Sequence, residues 1–230
     1  MFYVITLDHA RAPIKLNVIR PNMRLAAPTA RKTPRAYHHG DLREALIAAA
    51  MAEVQANGAD GVNFSALART VGVSQAAPYR HFADRDELLA AVAAEAFRSF
   101  SASLAAEMQK ASRRSPVGQL AHAYLGLGVK QIGLYRLMYG LHLVQRSSIG
   151  SELQVAVEMG FREILAIMGE GTDAQLRERI ALGLWTSLHG VVMLVDQGLF
   201  PLKTRKVTTE NLVDDFVAAA ERAIAAAKPR

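Results

Sequence analysis

Residues 63–82, NFSALARTVGVSQAAPYRHF, decide how the rest of the chain is interpreted. Apolar residues recur here at the spacing of one helical face, at Phe64, Leu67, Ala68 and Val71. Asn63 stands where a helix N-cap is expected, and Gly72 stands where a left-handed residue ends a helix. Ser74 is then expected to cap a second helix over residues 75–81. Two short helices around a tight turn are typical of a helix-turn-helix DNA reader, with a helical hairpin of an ordinary all-α protein as the alternative.

Helical patterns continue on both sides of this stretch. A helix is predicted over residues 41–57, where Asn-Gly and Asp-Gly pairs then break it. Asp84 is expected to cap a long helix that runs toward Lys110, with acidic residues in its first turn, where the helix dipole favours them. Further helices are predicted over residues 116–130, 134–144, 151–168, 173–199 and 208–227. No stretch alternates as a strand does, so the prediction is an all-α fold of about nine helices.

With these flanks in place, residues 37–96 resemble the DNA-binding domain of TetR-family transcriptional regulators. The landmarks of that resemblance are Gly58, the apolar face of residues 64–71, Gly72-Val73-Ser74, Tyr79-Arg80-His81-Phe82 and Asp86-Glu87-Leu88-Leu89. The resemblance implies an N-terminal three-helix DNA-binding domain that a long helix joins to a helical bundle for ligand binding and dimerisation. The implied domains are a basic, mostly disordered arm at 1–36, the DNA-binding domain at 37–96, and the ligand-binding and dimerisation domain at 97–230.

The same resemblance carries over a set of DNA contacts, at Asn63, Ser65, Ser74, Gln75, Ala76, Ala77, Tyr79, Arg80, His81 and Arg85. Asn63 and Ser65 are expected to reach phosphates from the start of a helix. Gln75 is the best candidate for reading base edges through hydrogen bonds in the major groove. For Tyr79, partial packing in the core is the alternative. Pro78 departs from the family pattern but is expected to be tolerated in the first turn of its helix.

The positive charge of the chain is concentrated at its N-terminus. Residues 1–35 hold seven basic side chains against Asp8 alone, a net charge of +6 that equals the net charge of the whole chain. Residues 36–96 hold four basic and eight acidic side chains, a net of −4, although a duplex-binding domain normally has a basic footprint. We therefore hypothesise that the stretch from Arg24 to Arg35 supplies much of the salt-dependent affinity for DNA. A solvated, disordered tail is the alternative for this arm.

A second motif lies in the C-terminal part, where Trp185-Thr-Ser-Leu-His189-Gly190 resembles the W-x-x-x-H-G signature of one TetR-family C-terminal subgroup. Trp185 and His189 are one helical turn apart and share a face. His189 is a candidate donor to a carbonyl or carboxylate of a ligand, and the alternative is a buried histidine bonded within the protein. The candidate lining of a ligand pocket is Tyr124, Tyr135, Met138, Phe161, Trp185, His189 and Met193, with plain core packing as the alternative.

The two last predicted helices are the candidates for a subunit interface. The helix at 173–199 is apolar on two sides, which indicates a fully buried helix, and the helix at 208–227 has apolar residues at helical spacing. A pair of such helices from each chain would form a four-helix dimer interface. Packing of both helices within a single chain is the alternative.

Composition removes several classes of function. The chain has no cysteine, which excludes disulfides and cysteine-ligated zinc. No catalytic, metal-binding or dinucleotide-binding motif is found, so no enzyme activity, metal or cofactor is predicted. No signal peptide is apparent, and the longest uncharged apolar run, residues 181–195, is shorter than a membrane span requires. A cytoplasmic protein without membrane contact is therefore expected.

The predicted function is that of a sequence-specific transcriptional regulator. It would be a homodimeric repressor that an unknown small-molecule effector releases from a palindromic operator in double-stranded DNA. Each recognition helix would enter one major groove, with half-sites about one helical turn apart. One alternative is an effector-independent or architectural DNA-binding protein, and another is a small-molecule enzyme built on a helical bundle. Release of DNA by a ligand separates a regulator from the first, and catalytic activity without DNA binding would indicate the second.

Overall fold

The computed structural model describes residues 39–140, 143–146, 148, 150–168, 173–200 and 207–226, with the side chains from residue 42 onward. Within these ranges every regular element is helical, so the prediction of an all-α fold is confirmed. The basic arm predicted at residues 1–36 lies outside the described residues.

The described residues form nine α-helices joined by short connections. In chain order they are α1 (His39–Asn57), α2 (Phe64–Val71), α3 (Arg85–Met108), α4 (Pro116–Lys130), α5 (Ile132–Tyr139), α6 (Leu143–Arg146), α7 (Glu152–Ile167), α8 (Ala174–Asp196) and α9 (Thr209–Ala226). Two short 3₁₀ turns, Ala59–Gly61 and Pro78–Arg80, lie between α1 and α2 and between α2 and α3. The predicted positions of the long helices agree with these bounds to within a few residues.

Helix α2 begins and ends where its capping residues predict. The Asn63 side-chain oxygen accepts hydrogen bonds from the backbone N–H groups of Ser65, at 2.9 Å, and Ala66, at 3.2 Å. These two bonds satisfy N–H groups that have no partner inside the helix. Gly72 ends the helix with φ 79°, a left-handed conformation that glycine adopts without steric cost. Both capping predictions are therefore confirmed.

The second helix of the predicted motif is not an α-helix. Residues 75–77 form a turn and Pro78–Arg80 form a 3₁₀ helix. Ala77 N–H donates to Ser74 O at 3.0 Å, and His81 N–H donates to Pro78 O at 3.0 Å, which is the three-residue spacing of a 3₁₀ helix. Proline has no N–H with which to make the four-residue bond back to Ser74. The expectation that Pro78 leaves an α-helix intact here is wrong. The expectation that Ser74 caps that helix is wrong too, since the 3₁₀ helix begins after Ala77 and has no side-chain cap.

Helix α3 belongs to the helix-turn-helix at its start and to the C-terminal bundle at its end. Asp84 caps it by accepting from Glu87 N–H at 2.8 Å, and the Glu87 carboxylate accepts from Ala83 N–H at 2.6 Å. Buried Leu88 and Val92 lie in the N-terminal half, and the buried residues continue to Leu104 near its end. Helix α3 packs against α1, α4, α5 and α7, so it is the central helix of the described chain.

Two helices of the bundle differ from their predictions. The helix predicted at 134–144 is divided because the backbone becomes extended at Gly140, between α5 and α6. The helix predicted at 173–199 is only partly buried in this single chain, and the predicted burial of its other side against a partner subunit stays a prediction. Leu188 of α8 is buried, but Leu182 and Leu194 are 38% and 41% exposed. Helices α3 and α8 have the length and hydropathy of a membrane span. Core helices of soluble proteins pass the same test, so this is weak evidence for a membrane-spanning helix.

The end of α1 is held tightly against the junction of α4 and α5. A Cβ placed on Gly133 would lie 2.6 Å from Val54 O and 2.8 Å from Gln55 Cα, so only glycine permits this approach. The Gln55 amide donates to Lys130 O at 3.2 Å and accepts from Leu134 N–H at 3.3 Å. One side chain therefore satisfies a free carbonyl at the end of α4 and a free N–H at the start of α5.

Replacement of Gly133 by alanine tests this contact. The new methyl group would collide with the α1 backbone, so we expect a loss of about 1–3 kcal/mol in the free energy of unfolding. The matched control is Gly126→Ala in α4, where an added Cβ meets nothing within 4 Å. That change should stabilise the protein by roughly 0.5–1 kcal/mol because alanine is the better helix former. Chemical denaturation of both variants measures the difference, and equal effects would contradict the close approach.

Candidate nucleic-acid interface and ligand cavity

The residues predicted to contact DNA lie at the start of α2 and along the turn that follows it. Ser74, Gln75, Ala76, Tyr79 and Arg80 are exposed, as is Asn63, whereas Ser65, Ala77, His81 and Arg85 are half-buried. The Phe64 and Tyr79 rings meet edge to face with their centroids 4.7 Å apart. This contact places the start of α2 beside the Pro78–Arg80 segment, which brings the two predicted groups of contacts together.

Of the two aromatic residues in this segment, Phe82 is buried and Tyr79 is exposed. Phe82 is 1% exposed and belongs to the core, with the Arg43 guanidinium 5.5 Å above its ring. Tyr79 is 61% exposed, and the edge-to-face aromatic pair that it forms with buried Phe64 connects it to the core. A tyrosine in this position presents its hydroxyl at the surface, where a phosphate contact requires it.

Arg85 directs its guanidinium at the protein itself. It donates to Ala59 O at 2.6 Å and to Val62 O at 3.3 Å, and it lies 3.4 Å from the Asp60 carboxylate. These bonds fix the connection between α1 and α2 onto the start of α3. Arg85 thus has a visible structural role, and its contact with DNA stays a prediction.

Two exposed cations on the helix-turn-helix remain available for phosphates. Arg43 pairs with Glu152 at 3.3 Å, and Arg85 is bonded as described. Arg69 and Arg80 are exposed, and Arg69 lies in the last turn of α2. Neither forms an ion pair with the residues that the structure describes. Arg69 was not among the residues predicted from the sequence, because the sequence does not show which arginines are paired.

A small cavity lies between the helices of the C-terminal bundle, with a volume of about 40 Å³. Its lining comes from α3, α4, α5, α7 and α8, and consists of Phe97, Phe100, Ser101, Leu104, Tyr124, Tyr139, Val157, Gly160, Phe161, Ile164 and Trp185. None of the lining residues carries a charge, and six of them are aromatic. The walls are therefore suited to an apolar, flat molecule.

The predicted pocket residues divide into two groups. Tyr124, Phe161 and Trp185 line the cavity, whereas Tyr135, Met138, His189 and Met193 do not. The residues that sequence reasoning missed are chiefly those on α3 and α7, together with Tyr139. A signal for the α3 group exists in the sequence, since residues 97, 100, 101 and 104 share one helical face, but the same spacing is typical of ordinary core.

A network of side-chain hydrogen bonds closes one end of the cavity. Trp185 Nε1–H donates to Tyr124 Oη at 3.0 Å, and that oxygen is 2.9 Å from Tyr135 Oη and 3.3 Å from Tyr139 Oη. Tyr135 Oη is in turn 2.9 Å from His189 Nδ1. The rings pack as well, with the Tyr139 and His189 centroids 4.6 Å apart. Three helices, α4, α5 and α8, are therefore joined by one polar cluster.

Burial controls protonation in this cluster. Burial raises the pKa of all three tyrosine hydroxyls above its ordinary value, so they carry their protons at physiological pH. Burial also lowers the pKa of His189, which leaves its imidazole uncharged near neutral pH. In this structure His189 is bonded to Tyr135 behind the cavity wall, which matches the alternative of a histidine bonded within the protein. Its direct contact with a ligand stays a prediction.

Tyr124→Phe tests the central position of this hydroxyl. The change removes the buried hydroxyl that joins Trp185, Tyr135 and Tyr139, so we expect a loss of about 1–3 kcal/mol in the free energy of unfolding. Trp185 is the only tryptophan of the chain, so its fluorescence spectrum should also shift in the folded protein. The matched control is Tyr79→Phe, an exposed tyrosine whose loss of a hydroxyl should change neither quantity. Equal stability of both variants would show that the Tyr124 bonds contribute nothing.

Two family models match the chain. The model described as bacterial regulatory proteins, tetR family, matches residues 46–92, which include α2 and the turn with the predicted DNA contacts. The model described as tetracyclin repressor-like, C-terminal domain, matches residues 117–223, which include most of the bundle. Together the two matches take in about two thirds of the chain. None of the curated proteins compared with the chain matches it significantly.

Several solved structures are similar to the chain. A protein of unknown function from Rhodococcus sp. RHA1 is 28% identical, covering 85% of this chain and 100% of its own, with a TM-score of 0.65. A TetR-like transcriptional regulator from the same organism is 20% identical, covering 84% and 99%, with a TM-score of 0.54. The multidrug binding protein EbrR, complexed with imidazole, is 20% identical, covering 79% and 93%, with a TM-score of 0.53. At these identities the last two show a likeness of fold.

Proposed function

Because this chain belongs to the TetR family of DNA-binding transcriptional regulators, we propose that it is a homodimeric repressor that a small molecule releases from a palindromic operator. The observation that carries the proposal is the course of α3, which starts in the helix-turn-helix and ends in the wall of an apolar cavity. We place the boundary between the DNA-binding domain, 37–96, and the ligand-binding and dimerisation domain, 97–230, inside that helix. The protein acts on DNA and therefore in the bacterial cytoplasm.

DNA is bound by the exposed turn after α2 and by the start of α2. Gln75 is exposed in the turn, and its amide has a donor and an acceptor that can bind a base edge together, so it reads a base edge. Arg69 and Arg80 meet phosphates, and the arm at 1–36 adds cations to a domain that is acidic overall. The short 3₁₀ segment offers fewer side chains to the groove than a full recognition helix, so specificity depends on two half-sites bound together.

The dimer forms through α8 and α9. Gly183, Ser187, Gly190 and Leu194 follow one another along one face of α8 at helical spacing. An added Cβ on Gly183 or Gly190 meets nothing within 4 Å, and Leu194 is 41% exposed. A groove between α8 and α9 continues this face and is lined on the α9 side by Phe216, Ala219, Ala220 and Ala223. Small residues allow the same helices of a second copy to approach closely, as a two-fold interface requires.

The effector acts by enlarging the cavity. Its 40 Å³ has room for about three water molecules and is well below the roughly 150 Å³ that holds a benzene. A bound ligand therefore separates the walls, and four of the lining residues belong to α3. Helix α5 is a second connection between the cavity and the DNA-binding part, because Tyr139 lines the cavity and Gly133 lies against the α1 backbone. Release requires that the ligand binds more tightly to the arrangement that does not fit the operator.

Arg80→Ala tests the DNA-binding face. The variant loses one phosphate contact, so we expect weaker binding and a decrease of about one in the slope of log affinity against log salt concentration. Fluorescence anisotropy with DNA from the region upstream of the gene measures both quantities over a salt series. Arg162→Ala is the matched control, since Arg162 is an exposed arginine on α7. Equal slopes for wild type and Arg80→Ala would remove Arg80 from the interface, and absence of specific binding by wild type would contradict the function.

Leu194→Glu tests the dimer. A charge at the centre of the proposed interface should convert the dimer to a monomer and reduce operator affinity by at least tenfold, because half-sites are then bound singly. Analytical ultracentrifugation measures the mass, and anisotropy measures the affinity. The control is Met159→Glu, which adds the same charge to α7 at a residue that is 50% exposed. A Leu194→Glu protein that remains dimeric would place the interface elsewhere.

A further inference from the structure

The polar atoms at the Tyr124 end of the cavity have more lone pairs than hydrogens. Each tyrosine hydroxyl brings one hydrogen and two lone pairs, the indole brings one hydrogen only, and an uncharged His189 offers Nδ1 as one acceptor. Every hydrogen of the cluster can therefore be used inside the cluster. What remains is a surplus of acceptors.

One direction of the network gives every hydrogen a partner. Tyr135 donates to His189 Nδ1, 2.9 Å away, and Tyr124 donates to Tyr135 over 2.9 Å. Tyr124 Oη then accepts from both Trp185 Nε1–H, at 3.0 Å, and Tyr139, at 3.3 Å. In the opposite direction the Tyr139 hydrogen would point into an apolar cavity without a partner. A buried donor without a partner costs about 1–3 kcal/mol, so the first direction is favoured.

The unused hydrogen-bond acceptor of the cluster is the Tyr139 hydroxyl oxygen at the cavity wall. In the favoured direction Tyr124 Oη has used its hydrogen and both lone pairs, whereas Tyr139 Oη has used only its hydrogen. The Trp185 N–H also lies near Tyr139, but its single hydrogen is directed at Tyr124. Tyr139 Oη therefore keeps at least one lone pair for a molecule in the cavity, and it has no hydrogen to give.

Ser101 is the polar lining residue outside the tyrosine cluster, and its hydroxyl is also an acceptor. Ser101 is hydrogen-bonded to Glu163 of α7, and a carboxylate can only accept, so the serine hydroxyl donates its hydrogen away from the cavity. The hydroxyl then has only its lone pairs left for another partner. Neither Tyr139 nor Ser101 has a free hydrogen for a carboxylate or carbonyl, the hydrogens of Tyr124 and Trp185 are used inside the cluster, and no lining residue is cationic.

We propose that the effector is an uncharged, flat aromatic molecule that donates an N–H or O–H hydrogen to Tyr139 Oη. This inference rests on the proposed function as a ligand-responsive regulator and adds the chemical class of the ligand. The aromatic rings of Phe97, Phe100, Phe161 and Trp185 enclose the ring of the ligand, and the single hydrogen bond orients it. A carboxylate ligand is disfavoured because no cationic residue lines the cavity to compensate its charge.

Three bicyclic probes of nearly equal shape separate this chemistry from simple burial. Indole has an N–H donor, benzofuran has a weak oxygen acceptor in its place, and indene has neither. Isothermal titration calorimetry with the full chain should give an affinity for indole roughly fivefold to tenfold higher than that for indene, the effect of one net hydrogen bond. Benzofuran should bind no more tightly than indene. Tyr139→Phe should keep the affinity for indene and lower that for indole to the same level.

Each other outcome overturns the proposal. Equal affinity of wild type for indole and indene, preference for benzofuran, or no binding of any probe would contradict a donor site. An indole preference that survives in Tyr139→Phe would assign the acceptor to another group, and the wild-type comparison stands even if that variant does not fold. Anisotropy with operator DNA is measured separately. If the protein binds DNA but does not prefer indole over indene, the proposed ligand class is wrong and the regulator function is not contradicted. If it prefers indole but binds no DNA, the regulator function is wrong and the proposed ligand class is not contradicted.

Discussion

The constraint on which the described structure depends is that one helix, α3, serves two halves of the chain. Asp84 and Glu87 fix where it begins, next to the turn that is proposed to meet DNA. The helix is 24 residues long, and residues of its second half, from Phe97 to Leu104, supply part of the cavity wall. Because a helix is stiff over this length and is packed on several sides, a change at one end is not absorbed locally.

Helix α5 is a second connection between the helix-turn-helix and the cavity, and it depends on contacts with α1 instead of one continuous helix. Helix α5 is only eight residues long, yet Gly133 at its start touches the α1 backbone and Tyr139 at its end lies in the cavity wall. The Gln55 amide closes this contact with two hydrogen bonds. Both α3 and α5 therefore join the cavity to the helix-turn-helix, so a movement of the cavity walls would reach α1 and α3 together. Such an arrangement favours two discrete positions of the DNA-binding part over a gradual one.

Local rules made the helix-turn-helix predictable, and the same rules did not predict the cavity. Asn63, Gly72 and Asp84 act through bonds to near neighbours in sequence, so their residue types were enough. Pro78 shows the limit of a resemblance, because the missing N–H produced a 3₁₀ segment where the family pattern suggested an α-helix. Helical spacing marks buried residues such as Phe100 and does not tell which of them border a gap. The bond between Tyr135 and His189, which are 54 residues apart, depends on packing that no local pattern contains.

We propose that DNA binding at the helix-turn-helix and the state of the cavity are coupled. Trp185 is the only tryptophan of the chain and lies in the cavity wall, so its emission reports on the cavity without any added label or ligand. Operator DNA should therefore change the Trp185 emission in a saturable way, with the same midpoint as the binding curve measured by anisotropy, since linkage acts in both directions. Saturation of the DNA-binding curve with no change in either the emission of Trp185 or its quenching by acrylamide would contradict the coupling.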